Sequence, residues 1–166
     1  MQNLQHELQD VLLTDIPITK YLGISVESYD TTCLVLKAPL ANNMNHKGTA
    51  FAGSLNSLIT LSGWGLLWLI LREYRLSARI VIQDSECNYL LPVTSDFSAC
   101  CRKPEAYQLE KLVQTLQKKG KARLELNASI LQNQQLAVSF KGRYVAQCYD
   151  CEQTLPPYNV EEREHA

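Results

Sequence analysis

Hydrophobic and polar positions alternate with two different periods along this chain, and the changes of period mark its elements. In residues 2–13, Leu4, Leu8, Val11 and Leu12 recur at helical spacing, which predicts a short amphipathic helix ended by Pro17. From Ile24 to Leu36 the period falls to two. Ile24, Val26 and Ser28 alternate with Ser25 and Glu27, Asp30-Thr31-Thr32 forms a turn, and a second run starts at Cys33, so two strands or one bent strand are expected. Residues 39–49 hold Pro39, three asparagines and Gly48, a loop by composition.

The longest helix is predicted over about 52–75. Its section from Leu55 to Leu71 is apolar on most sides, as in a helix buried all round. Gly63 and Gly65 each lower helix propensity by about 1 kcal/mol relative to Ala, and read as points of close approach to a sheet. The apolar stretch from Leu58 to Leu71 is shorter than the roughly 20 residues of a membrane span, so a core helix is expected and no membrane span.

Residues 80–89 are rich in β-formers, Pro92 marks a turn, and Phe97, Ala99 and Cys101 share one face of a strand over 96–101. Residues 105–117 place Leu109, Leu112, Val113 and Leu116 on one helical stripe, closed by Lys118, Lys119 and Gly120. Two strictly alternating runs, 122–130 and 136–144, then flank Asn133-Gln134 as an antiparallel hairpin. One helix against one antiparallel sheet is a two-layer α+β design. A single domain over 1–148 is expected, with the N-terminal helix included and residues 149–166 a loose polar tail.

Composition narrows the function classes. Of 166 residues, 46% are hydrophobic and 20% charged, with a net charge of −1. The pI near 6.3 offers no basic field for nucleic acid. Residues 1–10 are polar with spaced leucines rather than a basic run followed by an apolar one, so no secretory leader and a cytoplasmic location are expected. The six cysteines then read as free thiols. Cys148 and Cys151 have C-x-x-C spacing, but a closed zinc site needs four ligands. No metal and no cofactor are expected.

Chemistry concentrates in the segment from Asn45 through His46, Lys47, Gly48, Thr49, Ala50, Phe51, Ala52, Gly53 and Ser54 to Leu55, where a polar loop enters the long helix. A helix start leaves backbone N–H groups unpaired and carries partial positive charge. Small residues such as Ala52 and Gly53 let a ligand approach that backbone, whose amides suit a thioester carbonyl and the oxyanion formed on attack. The same small residues equally serve tight loop-to-helix packing.

Here the chain resembles the hotdog thioesterases. Asn45-x-x-Gly48-Thr49-x-Phe51-Ala52-Gly53 is similar to their loop and helix start, residues 17–24 to the approach to their first strand, and Tyr89-x-x-Pro92 with Ser95-Asp96 to their mid-sheet corner. More narrowly, residues 47–55 with Gly63-Trp64-Gly65-Leu66-Leu67 resemble the thioesterase domain found C-terminal to some bacterial N-acetyltransferases; no acetyltransferase domain accompanies it here. The resemblance implies a hotdog fold with a long central helix wrapped by an antiparallel sheet. It also implies an acyl-CoA or acyl-carrier thioester substrate, and a homodimer or dimer of dimers with its cleft at the subunit interface. The alternative activity is non-catalytic binding of an acyl thioester.

Two positions depart from the family pattern. Phe51 stands where many relatives carry His, and Thr60 where many carry a catalytic Asp or Glu; no carboxylate precedes Glu73 in the helix. A carboxylate base typically contributes about 10²–10⁴-fold. Water placement is therefore assigned to Asn45, Thr60 or a strand acid, Asp84 or Glu86, both expected on one face with Ile80 and Ile82. Gly53 completes the catalytic set through its amide. Lys47, Gly48, Phe51, Ala52 and Ser54 are the expected substrate-binding residues. Asn45 reads equally as a turn-former; for Asp84 and Glu86 the solvent-facing strand residue is the default reading, as the surface residue is for His46. Ser54 and Ser57 lack a histidine to activate them. Lys47, Arg72, Arg75 and Arg79 could meet CoA phosphates or simply be solvated. Trp64 and Trp68, four apart, read as core or interface anchors or as the lining of an acyl tunnel.

Overall fold

The computed structural model describes residues 2–148. The tail beyond 148, and Cys151 of the C-x-x-C pair, lie outside the described residues.

The amphipathic start forms α1, Gln2–Asp15, with Leu8 and Leu12 fully buried. A short helix that periodicity did not reveal follows: α2, Ile18–Leu22, entered at Pro17 and closed by Gly23 at φ 69°. The segment expected to lead straight into the first strand is thus helical. Proline suits a helix start because its missing N–H is one of the orphans there. Strands β1, Ser25–Tyr29, and β2, Cys33–Ala38, pair around a turn held by Asp30 Oδ1, which accepts from the Thr32 amide and hydroxyl and the Cys33 amide at 2.6–2.9 Å.

A 3₁₀ turn at Leu40–Asn42 and a tight loop lead into α3, Ala52–Glu73. Next come β3, Ala78–Tyr89; β4, Phe97–Arg102; α4, Ala106–Lys119; β5, Lys121–Gln132; and β6, Gln135–Cys148. All strands pair antiparallel in the order β1-β2-β4-β5-β6-β3. The architecture is the α+β hotdog: one long apolar helix wrapped by a six-stranded antiparallel sheet.

The alternation read in the sequence is the burial pattern. Ala122, Leu124, Leu126, Ala128 and Ile130 point inward, and Arg123, Glu125 and Asn127 outward. The β5–β6 hairpin turns at Asn133 and Gln134, both with positive φ (49° and 65°), the backbone a two-residue hairpin turn requires. Strand β4 pairs β5 only from Ala99 to Cys101 against Ile130 to Ala128, and α4 lies along the first half of β5, sending Leu109, Leu112 and Leu116 into the core.

Helix α3 is long and apolar enough by composition to cross a membrane, yet 67% of its most apolar window is buried inside the fold. Its glycines set how closely it meets the sheet. A Cβ on Gly63 would stand 2.3 Å from the Tyr144 hydroxyl, which donates to the Thr60 carbonyl at 2.7 Å. A Cβ on Gly65 would press on Leu34 and Leu8 at 3.1–3.2 Å.

One expectation is overturned. Strand β3 carries a bulge between Ile82 and Asp84. Ile80 and Ile82 pair with the buried Ala146 and Tyr144, whereas Asp84 and Glu86 pair with the exposed Arg143 and Lys141. An extra residue in one strand shifts the alternation by one, so both acids leave the face of the isoleucines and turn outward.

Candidate active site at the start of the long helix

The loop before α3 folds around Asn45. Its Oδ1 accepts from the Lys47 amide at 2.8 Å and the Thr49 amide at 3.4 Å, and its Nδ2 donates to Thr49 Oγ1 at 2.9 Å and the Ala50 carbonyl at 3.4 Å. Backbone bonds Asn45 N to Thr49 O and Gly48 N to Asn45 O close the loop. Gly48 takes φ 75°, a conformation that disfavours any side chain, with nothing within 4 Å of where a Cβ would lie. Asn45 thus acts as the turn-former, its carboxamide bonded on both ends. The loop is moored by Ala50 N to Val93 O at 2.8 Å and Phe51 N to Asn43 O at 2.7 Å. Asn43, buried, donates in turn to the Leu22 and Pro39 carbonyls.

At the helix start, Phe51 is the N-cap in extended conformation and offers no side-chain cap. Leu55 N reaches back to Phe51 O. Among the described residues, none accepts from the amides of Ala52, Gly53 or Ser54. These are the orphan donors of a helix start, in the field of its dipole. The Phe51 ring lies across Gly53, its Cε1 2.3 Å from where a Cβ would stand, so glycine is needed there to seat the ring.

Beside this end lies a cavity of about 320 Å³ lined by Asn45, Ala50, Ala52, Leu55 and the corner from Tyr89 to Val93. Tyr89, the last residue of β3, donates its hydroxyl to the Ala52 carbonyl at 3.2 Å. Burial, and next the neighbouring Cys87 thiol, push its pKa up to about 12, so the phenol stays protonated through neutral pH. In the sequence, Tyr89 stands out only as part of a corner motif; a tyrosine closing a strand beside a proline turn is the available signal.

The remaining expected residues are dispersed. Gly48 and Lys47 sit at the exposed loop, as does His46. Ser54 is buried, and Ser57 donates to the Gly53 carbonyl. Thr60 lies about 12 Å further along α3, half-buried. Asp84 lies roughly 16 Å along β3 from Tyr89 and faces Arg143 at 3.5 Å, while Glu86 accepts from Asn88. Within this chain, Asn45 and Ala52 therefore line one cavity; Thr60 and Asp84 do not join it.

A second groove, of about 450 Å³, runs along the other half of α3 between Trp64, Trp68, Arg72 and the start of β3. Trp64 Nε1 donates to the Ile80 carbonyl at 3.3 Å, and the Arg72 guanidinium stands 4.8 Å above the Trp68 ring. Thr60, Trp64 and Trp68 form a half-exposed stripe at four-residue spacing beside β3, the edge strand of the sheet.

Comparison with solved structures agrees with this arrangement. A protein of unknown function from Chlorobaculum tepidum superposes with a TM-score of 0.86 at 29% identity, covering 89% of this chain and 96% of that one. A Shewanella oneidensis protein described as a "putative thioesterase" superposes at 0.82 with 32% identity, covering 89% and 99%. A Pseudomonas aeruginosa protein described as a "Probable Thioesterase" shares the fold at 0.75 and 19% identity, over 87% and 95%. The profile of one family spans residues 5–148. With that coverage, the chain belongs to the family described as "Putative thioesterase (yiiD_Cterm)", within the hotdog thioesterases.

Proposed function

We propose that this protein hydrolyses an acyl thioester of CoA or of an acyl carrier, in a homodimer whose cleft is shared between subunits. Family membership supports a general thioesterase-like activity. The observation that carries the reading is the cavity of about 320 Å³ at the start of α3, next to amides with no acceptor among the described residues. In this reading the thioester carbonyl sits at the amides of Ala52 and Gly53, held in place by the loop that Asn45 organises. Gly48 and Phe51 border it, and Lys47 reaches toward a substrate phosphate.

Support for the dimer comes from β3. It is a twelve-residue edge strand with a free side, and Val81, Leu90 and Leu91 are exposed on it or just past its end. Such an edge is a template for pairing with another chain. Two copies paired antiparallel about the strand's midpoint bring the Tyr89 end of one against the Ala78 end of the other. The partner's Trp64–Trp68 groove and Thr60 stripe then face the cavity, and Thr60 enters as a water-orienting hydroxyl. Asp84 sits near that two-fold, on the outward face and about 16 Å along the strand from either cavity, so water placement falls to Thr60 in this reading.

The second reading, a non-catalytic acyl-thioester binding module, is favoured by the lack of a free helix carboxylate. Glu73 is engaged by Tyr29 and Lys103, and Asp84 by Arg143.

Thiol release from acyl-CoAs of graded chain length decides between them. Turnover that falls at least tenfold in Thr60→Ala supports hydrolysis, and calorimetric binding with no turnover supports the module. Sedimentation showing only monomer at working concentration defeats the shared cleft.

A further inference from the structure

Beside the helix-start amides, the cavity is lined by two polar side chains, and one of them, Asn45, is bonded into its loop. The other is Tyr89. It projects from the end of β3 into the cavity wall, 48% exposed, with its ring against the helix start. Its hydroxyl neighbours the Cys87 thiol, and its bond to Ala52 O is 3.2 Å long. Hydroxyl–oxygen bonds cluster near 2.7–2.8 Å. Ala52 O also belongs to the first turn of α3, where the i+4 amide, Asn56 N–H, is its helical partner. The phenol therefore loses little by turning away, and rotation about its C–O bond is enough to redirect the proton.

Resting on the thioesterase reading, we propose that Tyr89 is a catalytic hydrogen-bond donor, whose hydroxyl swings from Ala52 to the thioester carbonyl oxygen and shares the oxyanion with the helix-start amides.

In the step so assisted, a water oxygen bonds to the carbonyl carbon, and the C=O π pair moves onto oxygen, where Tyr89 O–H and the amides hold it. When that pair returns, the C–S bond breaks. The thiolate leaves with a proton from the water, giving carboxylic acid and thiol. Tyr89 keeps its own proton throughout, consistent with the pKa raised by burial and by Cys87. Cys87, a half-buried thiol beside the phenol, is left unchanged by the step.

Tyr89→Phe keeps the ring and removes only the hydroxyl. Loss of one oxyanion donor typically costs about 10²–10³ in kcat. The expected result is kcat down about 100-fold, KM within about threefold and Tm within about 2 °C. A kcat within threefold of wild type overturns the proposal. So does a Tm drop of more than about 5 °C with activity falling in parallel, which would make the Ala52 bond structural. Binding of a trifluoromethyl-ketone analogue of acetyl-CoA, hydrated at its carbonyl as a tetrahedral mimic, gives a second readout. Tyr89→Phe should weaken it at least tenfold, and equal affinity overturns the donor role. If wild-type protein turns over no thioester, the hydrolase reading falls, while the analogue still judges Tyr89.

Discussion

The two ends of α3, about 30 Å apart, solve the same problem in opposite ways. At the carboxyl end the helix's own acid is answered. Glu73 accepts from the Tyr29 hydroxyl at 2.6 Å and from Lys103 at 2.7 Å, Lys103 also reaches the Tyr29 oxygen at 3.1 Å, and its ammonium stands 5.2 Å from the Tyr29 ring centre. An acid in the last turn opposes the helix dipole, and the lysine offsets that cost. At the amino end there is no side-chain cap, three amides find no acceptor among the described residues, and the nearest phenol holds a long bond. One end is satisfied by its own chain and the other leaves donors for something else. Stability experiments should therefore respond at the carboxyl end and ligand experiments at the amino end.

The largest expected stability effect comes from Glu73→Ala. It leaves Lys103 and the buried Tyr29 hydroxyl without their acceptor, at a cost of about 2 kcal/mol by urea unfolding, reduced from a fully buried pair because Glu73 is 29% exposed. Turnover per folded molecule should stay within twofold. A stability change below about 0.5 kcal/mol would mean the carboxyl end is not locked as described. At the amino end, Gly53→Ala places a methyl where the Phe51 ring lies, and the ring, 56% exposed, can swing aside with little loss of stability. Displaced toward the cavity, it should lower turnover at least tenfold with Tm nearly unchanged. Unaltered kinetics would show that the ligand never approaches this turn. Asn45→Ala should act on both readouts modestly, losing about 1 kcal/mol with its loop bonds and several-fold in kcat; an effect on stability alone would leave Asn45 as a turn residue and nothing more.

The same contrast explains what could be read from the sequence. The β5–β6 hairpin and α3 were legible because their periodicity is local: each inward residue declares itself by its neighbours two or four positions away. Gly63 and Gly65 were legible as sheet contacts for a related reason, since an apolar helix keeps glycine where something presses on it. Asp84 faces solvent, its default reading, but not on the isoleucines' face as strict alternation implied, because the bulge depends on pairing with β6, sixty residues on, and no local pattern announces the shifted register. Residues 18–22 formed a helical turn too short to show a period. The loop at Asn45 was located correctly, but its hydrogen bonds could not be counted from spacing. Tyr89 was invisible as a donor because its partner, Ala52, contributes a backbone carbonyl rather than a side chain.

The smallest expected effect compares two tyrosines, one at each end, under alkali. Tyr29 is 3% exposed, and burial, followed by its bond to Glu73 and the charges of Glu73 and Asp30, raises its pKa far above the usual phenol range. Tyr89 rises only to about 12. In both cases the unfolded chain releases its proton near pH 10, while the folded chain still holds it. Above that pH the unfolded state binds fewer protons, so stability present at neutral pH is lost as pH rises. For Tyr29 the loss is about 0.4 kcal/mol at pH 10, steepening toward about 1.4 kcal/mol per unit beyond it. Urea midpoints between pH 8 and 10.5 should show this decline, to which the buried Tyr144 phenol also contributes, and Tyr29→Phe should lessen its slope. Tyrosinate absorbance should find Tyr89 ionising in the folded protein before Tyr29, because one phenol faces an open cavity and the other a closed ion pair. If Tyr29 titrates first, the carboxyl end is the one that admits solvent, and the contrast between the two ends is reversed.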